Sequence, residues 1–220
     1  MHQQQGAEPV IIIDPGHGGT DEGAKGCGLL EKDLALDISL RVEKLLRAQN
    51  VNTVLTRRTD VYVTLTDRAL VADSYEHAFF VSIHFNQSRQ NPAVGVETFY
   101  ASEKIVREAA WSWLDLIYKP KIPPPDNGAT LASSIQTALA SGLGTTSRGT
   151  KARDLFVVCN THCPAVLVEG GFLSNPAEAK LLKDESYRER MAASIVHGIM
   201  DRLHAEQNSN PAVNFAKAKN

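Results

Sequence analysis

The chain has 220 residues, of which 43% are hydrophobic and 22% are charged, and its formal net charge is -2. This length and composition are typical of one globular domain with a complete hydrophobic core. The nearly neutral charge provides no basic field for nucleic acid or an anionic membrane surface, so neither is predicted as a partner. No stretch approaches the roughly 20 apolar residues of a membrane-spanning helix, so no membrane span is predicted.

Neither the cysteines nor the amino terminus strongly indicates a disulfide framework, a metal cluster or a signal peptide. An odd, low number of cysteines (Cys27, Cys159 and Cys163) does not make a disulfide framework. His162 lies beside the last of these, but no second pair of metal ligands is close in sequence, so small hydrophobic residues or one incidental bridge are the preferred interpretation. Residues 1–8 lack the basic and apolar regions of a signal peptide, which predicts a cytosolic protein or a leader already removed.

The first predicted element is a strand at residues 10–13, which read Val-Ile-Ile-Ile. Four apolar β-branched residues suit a strand buried on both faces, as in a parallel sheet. Pro15 and Gly16 end this strand, and His17 follows among further glycines that let a ligand approach the backbone. His17 is therefore a candidate metal ligand or catalytic residue, although a surface-loop histidine would have the same local sequence.

A helix is predicted next, because apolar residues recur at spacings of three and four from residue 34 to residue 45. Glu31 lies in its first turn, where a carboxylate interacts favourably with the helix dipole or points back over the sheet edge toward His17. Thr64 and Asp67 form a capping-box pattern for a short helix at residues 65–74. Arg68 in that helix is interpreted as a partner in an internal ion pair.

A second buried strand, Ala-Phe-Phe-Val-Ser-Ile at residues 78–83, is followed by His84. Two core strands that each end in a histidine are much less likely to arise by chance than one such strand. Asn86 comes two residues later, close enough to line the same crevice. A further strand at residues 95–100 contains Glu97, which an edge strand could leave solvated.

The second half of the chain contains a variable segment and then the last strands. Residues 102–150 are interpreted as a helical and proline-rich insertion that includes predicted helices at 102–118 and 130–143. Strands are predicted at 155–158 and 165–168, and the second of these ends at Glu169. Asn175 and Pro176 have the residue types of an N-cap and first helical position, and a last helix is predicted at 186–205. Residues 207–220 are polar and aperiodic, which predicts a disordered tail.

Strands that alternate with helices predict a single α/β domain with a mainly parallel, twisted sheet flanked by helices. Ligands of such sheets bind at the carboxyl ends of the strands, where His17, His84 and Glu169 are expected, with Glu31 opening the adjacent helix. Two imidazoles and one carboxylate are a catalytic zinc set, and an unbound carboxylate could transfer the proton of a zinc-activated water. This chemistry leaves open which glutamate binds the metal. A serine hydrolase site is disfavoured, because the motif G-x-S-x-G is absent.

Seven segments together resemble the catalytic domain of zinc-dependent N-acetylmuramoyl-L-alanine amidases, in the group that includes the bacterial division amidases. They are IIIDPGHGG (11–19), LLEKD (29–33), VLTR (54–57), LTDR (65–68), VSIHFN (81–86), GVETFY (95–100) and VLVEGGFLSN (166–175). The resemblance implies cleavage of the amide between N-acetylmuramic acid and the L-alanine of the peptidoglycan stem peptide. It implies that His17, Glu31 and His84 bind one zinc ion and that Glu169 is the catalytic residue.

The resemblance also implies a domain at residues 10–206, with an N-terminal extension at 1–9, and a location in the periplasm or the extracellular cell envelope. Some division amidases cover the zinc site with a long helix until an activator binds. The matching segment here, 102–150, is irregular and proline-rich, so we predict an open or partly covered site and a possible protein activator that acts through this segment. Asn86 and Glu97 are predicted to contact the substrate.

Two other functions remain open on the sequence. A zinc peptidase that cuts within the stem peptide would use the same activation of water, because both enzymes hydrolyse amides. A non-catalytic wall-binding or regulatory domain on the same fold would be expected to dispense with some of the four polar residues, all of which are present here. Daughter-cell separation is a possible biological role of the predicted amidase.

Overall fold

The structure is a computed structural model that describes residues 9–88, 93–102 and 127–209. In these ranges the strands are β1 (Val10–Pro15), β2 (Lys25–Gly26), β3 (Leu29–Leu30), β4 (Thr53–Leu55), β5 (Ala78–Asn86), β6 (Val96–Tyr100), β7 (Ser147–Ala152) and β8 (Ala165–Phe172). The helices are α1 (Glu31–Ala48), α2 (Leu65–Asp73), α3 (Ala129–Leu143), α4 (Phe156–Cys159), α5 (Pro176–Lys183) and α6 (Glu185–Ser209). No helix within the described ranges is long and apolar enough to cross a membrane.

The central sheet has six strands in the order β4-β1-β5-β8-β6-β7. The strands β4, β1, β5 and β8 are mutually parallel, β6 is antiparallel to β8, and β7 is parallel to β6. The prediction of an α/β domain with a mainly parallel sheet is therefore confirmed. Its two outer strands on one side run in the opposite direction, so they bring their amino-terminal residues to the carboxyl ends of β5 and β8.

Hydrophobic side chains cover both faces of this sheet. One face packs against α1, α3 and α6, and it includes Ile13, Val81 and Val168. The other face packs against α2 and α4, and it includes Ile12 and Phe80. Side chains alternate along a strand, so a strand covered on both sides must be apolar at successive positions. The predicted buried strand at residues 10–13 meets this requirement.

Several predicted elements differ from the structure. Residues 156–158, predicted as part of a strand at 155–158, lie in the short helix α4, since a four-residue apolar run has no distinguishing period. The strand β7 was not predicted, because it is an exposed edge strand of sequence SRGTKA with little apolar character. Glu97 does not lie in an edge strand, because β7 covers that side of β6.

The boundaries of the predicted insertion and tail also change. The helix α3, which we assigned to the insertion 102–150, packs on α6 and β6 and is part of the central fold, as is β7. The predicted helix at 102–118 lies almost entirely outside the described residues, as does the proline-rich segment. The last helix extends to Ser209, so residues 207–209 of the predicted tail are helical, and the rest of the tail lies outside the described residues.

The helices α3 and α6 approach closely at Gly198. A Cβ atom at this position would lie 2.4 Å from the Cα atom of Ile135, so the backbones would have to separate. We expect Gly198→Ala to destabilise the protein by about 2 kcal/mol, despite the better helix propensity of alanine, because overpacking forces backbone shifts. Urea denaturation measures this loss. His197→Ala, at the exposed neighbouring position, is the control and should change stability little; equal stability of both variants would contradict the prediction.

Candidate active site

A glycine turn after β1 brings His17 over the end of the sheet. The strand ends at Pro15, and the His17 backbone has a φ of 56°, in the left-handed region that few non-glycine residues adopt. A Cβ atom at Gly16 would lie 2.4 Å from the ring of His84. Glycine is therefore required at position 16, because the imidazole of His84 rests directly against the backbone there.

A buried ion pair lies beneath this turn. The guanidinium of Arg68 contacts the carboxylate of Asp14 at 2.6 Å, and both side chains are almost fully buried. The same carboxylate accepts hydrogen bonds from Thr56 Oγ1 at 2.5 Å and from Ser82 Oγ at 2.7 Å. A charge that is removed from water requires such partners. The interpretation of Arg68 as a partner in an internal ion pair is thus confirmed.

Two arginines hold the carbonyl oxygens of the turn. Arg68 donates to Pro15 O and His17 O, each at 2.6 Å. Arg57 donates to Pro15 O at 3.0 Å and to Gly16 O at 2.8 Å. The unusual backbone conformation of His17 is therefore fixed by groups beneath it, because three successive carbonyls are satisfied by rigid donors.

Glu31 points over the sheet edge from the first position of α1. Its Oε2 accepts a hydrogen bond from the amide of Ala24 at 2.7 Å, and its Oε1 accepts one from the amide of Phe85 at 3.0 Å. The carboxylate thereby connects the loop before α1 with the end of β5. Of the two roles considered for Glu31, the structure thus supports a carboxylate that faces the histidines.

Three metal-ligating side chains converge at this point. Glu31 Oε1 lies 3.1 Å from His17 Nε2 and 2.9 Å from His84 Nδ1. One ligand atom from each residue falls within 4.8 Å of the others. Two imidazole nitrogens and one carboxylate oxygen at these separations match the donor set of a catalytic zinc site, in which the metal–ligand bonds are about 2.0–2.2 Å long.

Asp21 orients the ring of His17. Its Oδ2 lies 2.8 Å from His17 Nδ1, on the side of the ring opposite to the nitrogen that faces Glu31. A histidine that binds a metal commonly donates its other ring N–H to a carboxylate, which fixes the tautomer. Asp21 is not among the residues predicted from the sequence. A carboxylate four residues after His17, within a glycine-rich loop, was the available signal.

In the metal-free site, the surroundings of Glu31 and His17 favour the charged form of each. Burial acts to raise the pKa of Glu31, but hydrogen bonds and charge from His17 and His84 outweigh burial and hold that pKa well below its usual range. Burial acts to lower the pKa of His17, but Glu31 and Asp21 outweigh it and raise that pKa. Glu31 is therefore a carboxylate in this site, as a metal ligand must be.

Glu169 has the opposite environment. It is paired in register with His84 on one side and with Glu97 on the other, so the three side chains emerge on the same face of the sheet. Its Oε2 is buried and has no hydrogen-bond partner among the described residues. Burial, followed by the charges of Glu31 and Glu97, raises the pKa of Glu169 to about 8. A carboxyl group with such a pKa can both accept and donate a proton near neutral pH.

The two residues predicted to contact substrate lie beside Glu169. The carboxylate of Glu97 is buried and accepts a hydrogen bond from Asn86 Nδ2 at 3.0 Å. It also forms ion pairs with Arg148, at 3.3 Å, and with Lys151. The carboxylate of Glu97 thus has its partners within this chain. The side chains of Arg148 and Lys151 are more accessible than that carboxylate.

The structure brings together the residues that the sequence singled out for chemistry. His17, Glu31 and His84 form one cluster, and Glu169 lies in the strand adjacent to His84. Across residues 9–88, 93–102 and 127–209, this is the one group of three such donors that comes close enough to hold a metal ion. Both β5 and β8 continue past the predicted strand ends. His84 and Glu169 therefore lie within these strands, near their carboxyl ends, and not after them.

The cysteine-rich segment near α4 has a different structure from this cluster. His162 Nδ1 lies 2.7 Å from Asp73 Oδ2, and the His162 amide donates to the same carboxylate at 2.9 Å. The side chains of Cys159 and Cys163 are buried in the hydrophobic cluster under α2. Their interpretation as small hydrophobic residues is therefore supported.

Comparison with known proteins shows which family this chain is similar to. A family model described as N-acetylmuramoyl-L-alanine amidase matches residues 11–201. The N-acetylmuramoyl-L-alanine amidase LytC of Bacillus subtilis (strain 168) is 37% identical over 189 residues, which cover 86% of this chain and 34% of LytC. The chain therefore spans about a third of the length of that relative.

Solved structures are similar in fold over most of the chain. The crystal structure of an N-acetylmuramoyl-L-alanine amidase from Clostridium difficile 630 has a TM-score of 0.78 and 30% sequence identity, and the match covers 90% of this chain and 97% of that one. The CwlD amidase from Clostridioides difficile, solved in complex with the GerS lipoprotein, has a TM-score of 0.76 and 30% identity, with coverage of 90% and 100%.

The raised pKa of Glu169 makes the stability of the metal-free protein depend on pH. The folded-state pKa lies above the unfolded value, so the associated stability is present below about pH 4.5 and is lost as pH rises through about 8. Glu169→Gln removes this titration. We expect the chelator-treated variant to exceed the wild type in stability by roughly 2–4 kcal/mol at pH 8.5, and by much less at pH 5.

Denaturant unfolding at the two pH values measures this difference. Glu76→Gln, on the exposed surface, is the matched control and should show no such pH dependence. A Glu169→Gln variant whose stability follows that of the wild type at both pH values would contradict the assigned environment of Glu169.

Proposed function

Because this chain belongs to the N-acetylmuramoyl-L-alanine amidase family, we propose that it hydrolyses the amide between N-acetylmuramic acid and L-alanine in peptidoglycan. The observation that carries this proposal is the convergence of His17, Glu31 and His84 beside Glu169, whose Oε2 has no hydrogen-bond partner in the part of the chain that the structure describes. The family match alone would also suit a domain that has lost activity, whereas a complete set of ligands with an adjacent proton carrier suits an enzyme.

We further propose that the chain uses one zinc ion, held by His17 Nε2, Glu31 Oε1 and His84 Nδ1. When bound, zinc supplies Lewis-acid chemistry and makes water a better nucleophile near neutral pH. The protein's contribution is to present two imidazole nitrogens and a charged carboxylate in a fixed arrangement. The hydrogen bond from His17 to Asp21 and the backbone amides bound to Glu31 support this role, because they orient the ligand atoms.

Glu169 is proposed as the general base and then the general acid. Its carboxyl group takes a proton from the water whose oxygen bonds to the amide carbon. The carbon–nitrogen bond then breaks, and the same proton passes to the departing nitrogen of L-alanine. Burial and neighbouring carboxylates support this cycle, because in the metal-free protein they raise the pKa of Glu169 and so make it a stronger proton acceptor than an ordinary carboxylate.

The biological setting follows from the substrate. Peptidoglycan lies outside the cytoplasmic membrane, so we propose that the protein acts in the periplasm or at the cell exterior, in remodelling of the cell wall. Daughter-cell separation stays a prediction. A protein activator that contacts residues 102–150 also stays a prediction; the complex of the CwlD amidase with a lipoprotein shows that a relative of this fold assembles with a second protein.

Digestion of purified peptidoglycan tests the proposed activity. We expect release of free stem peptides whose new amino terminus is L-alanine, identified by mass spectrometry and amino-terminal labelling. Shortened peptides that remain attached to glycan would indicate a peptidase instead. Retention on the wall without any released product would indicate a binding domain, and either result would contradict the amidase assignment.

Two substitutions separate metal binding from proton transfer. We expect His84→Ala to lose bound zinc and all turnover, because two ligands no longer form the donor set. We expect Glu169→Ala to keep one zinc per chain and to lower kcat by about 100-fold or more, because general acid–base catalysis contributes at this scale. Metal content by mass spectrometry and turnover of muropeptides measure both. Glu76→Ala is the control, and an active Glu169→Ala enzyme would refute the proton-transfer role.

A further inference from the structure

A groove with an excess of positive charge lies next to the proposed active site. It has a volume of about 420 Å³, and its wall includes Asn86, Glu97, Phe99, Arg148, Lys151 and Arg153. We call it the cationic groove. Three cations and one carboxylate contribute a formal charge of +2, by subtraction of one from three, on a protein whose overall formal charge is -2.

The sheet register places the cationic groove directly beside Glu169. In β6, Glu97 is paired with Glu169 of β8, and Glu169 is paired with His84 of β5. Three side chains on adjacent strands at matched positions share one face of the sheet. The groove therefore continues the row that begins at the metal-ligand cluster, and a substrate held at His84 and Glu169 would extend one of its two halves over β6 and β7.

The cations of the groove are held in place by contacts within the chain. Arg148 Nε lies 3.3 Å from the buried carboxylate of Glu97, and Lys151 pairs with the same oxygen. The guanidinium of Arg148 stacks over the ring of Phe172 at 5.0 Å, and the ammonium of Lys151 lies 5.9 Å from the ring centre of Phe99. About a third of each cationic side chain stays accessible, 35% for Arg148 and 36% for Lys151.

A purely structural role explains only part of this arrangement. Lysine on an edge strand such as β7 protects the sheet from pairing with another chain. One cation would neutralise Glu97, and an unanchored lysine would protect the edge equally well. Two cations anchored on one buried carboxylate, with a third beside them, instead leave positive charge that faces the groove and is already ordered.

The chemistry of the proposed substrate indicates which half the groove would accept. On the glycan side of the scissile amide, the lactyl carboxyl group is consumed in the amide, so the sugar is uncharged. On the other side, the stem peptide carries free carboxylates beyond its L-alanine. Charge-assisted hydrogen bonds between guanidinium or ammonium groups and carboxylates are among the stronger polar contacts. The peptide half therefore complements the groove and the sugar half does not.

We propose that the cationic groove binds a stem-peptide carboxylate beyond the L-alanine, and that Arg148 and Lys151 recognise it. This inference rests on the proposed amidase function and names the part of the substrate that determines specificity. Glu97 then acts as a positioning residue, since it holds the two cations, and Asn86 completes its hydrogen bonding. The groove would discriminate against stem peptides in which that carboxylate is amidated.

The test uses two N-acetylmuramyl peptides that differ in one group, the carboxylate of the residue after L-alanine or its carboxamide. We expect the zinc-loaded wild type to prefer the carboxylate form. We expect Lys151→Gln and Arg148→Gln each to lower kcat/KM on that form by about tenfold, mainly through KM, and to change turnover of the carboxamide form little. Lys180→Gln, at an exposed position on α5, is the matched control. Added salt should reduce the wild-type preference.

Each other outcome has a definite meaning. An equal loss on both substrates would show a structural role for the cations, and unchanged kinetics would show protection of the edge strand only; both would overturn the inference. If the wild type cleaves neither substrate, the proposed function fails. NMR titration with the free acidic stem peptide and its carboxamide then decides the groove separately. Equal affinities for the two peptides, or affinity unaffected by Lys151→Gln, would overturn the inference.

Discussion

The site depends on the buried ion pair between Asp14 and Arg68. An arginine in the interior is costly unless its charge and its N–H groups have partners. Arg68 meets this requirement with the carboxylate of Asp14 and with the backbone carbonyls of the turn that follows β1. Arg57 donates to Pro15 O as well, and to Gly16 O. The left-handed conformation of His17 is therefore the arrangement that satisfies both buried cations.

From this turn, the remaining ligands are positioned by contact with backbone. The ring of His84 fits against Gly16 because no Cβ atom is present there. Glu31 is placed by amides from two different segments, one before α1 and one at the end of β5. The cluster is thus assembled from rigid elements, which is the condition for holding ligand atoms to within a few tenths of an ångström.

Two carboxyl groups near each other have environments that shift their pKa values in opposite directions. Imidazoles and amides surround Glu31 and favour its charged form, whereas Glu169 is buried opposite Glu97 and lacks a hydrogen-bond partner among the described residues. Such a pair is typical of sites where one group binds and the other transfers a proton. The sequence left open which glutamate has which role, and local environment is what distinguishes them. In the cationic groove a third buried carboxylate, that of Glu97, anchors the side chains of Arg148 and Lys151.

The sequence by itself determined most of the central strands, the long helices, and the placement of three polar residues at strand ends and of Glu31 at the start of a helix, because periodicity and strand-ending turns are local properties of the chain. It did not determine α4 or β7, since a short apolar run has no clear period and an exposed edge strand has no apolar pattern. Only the tertiary structure brought Glu31 to the two histidines and the cations of β7 to Glu97. These contacts join segments through the sheet order and the turns, which no local pattern specifies.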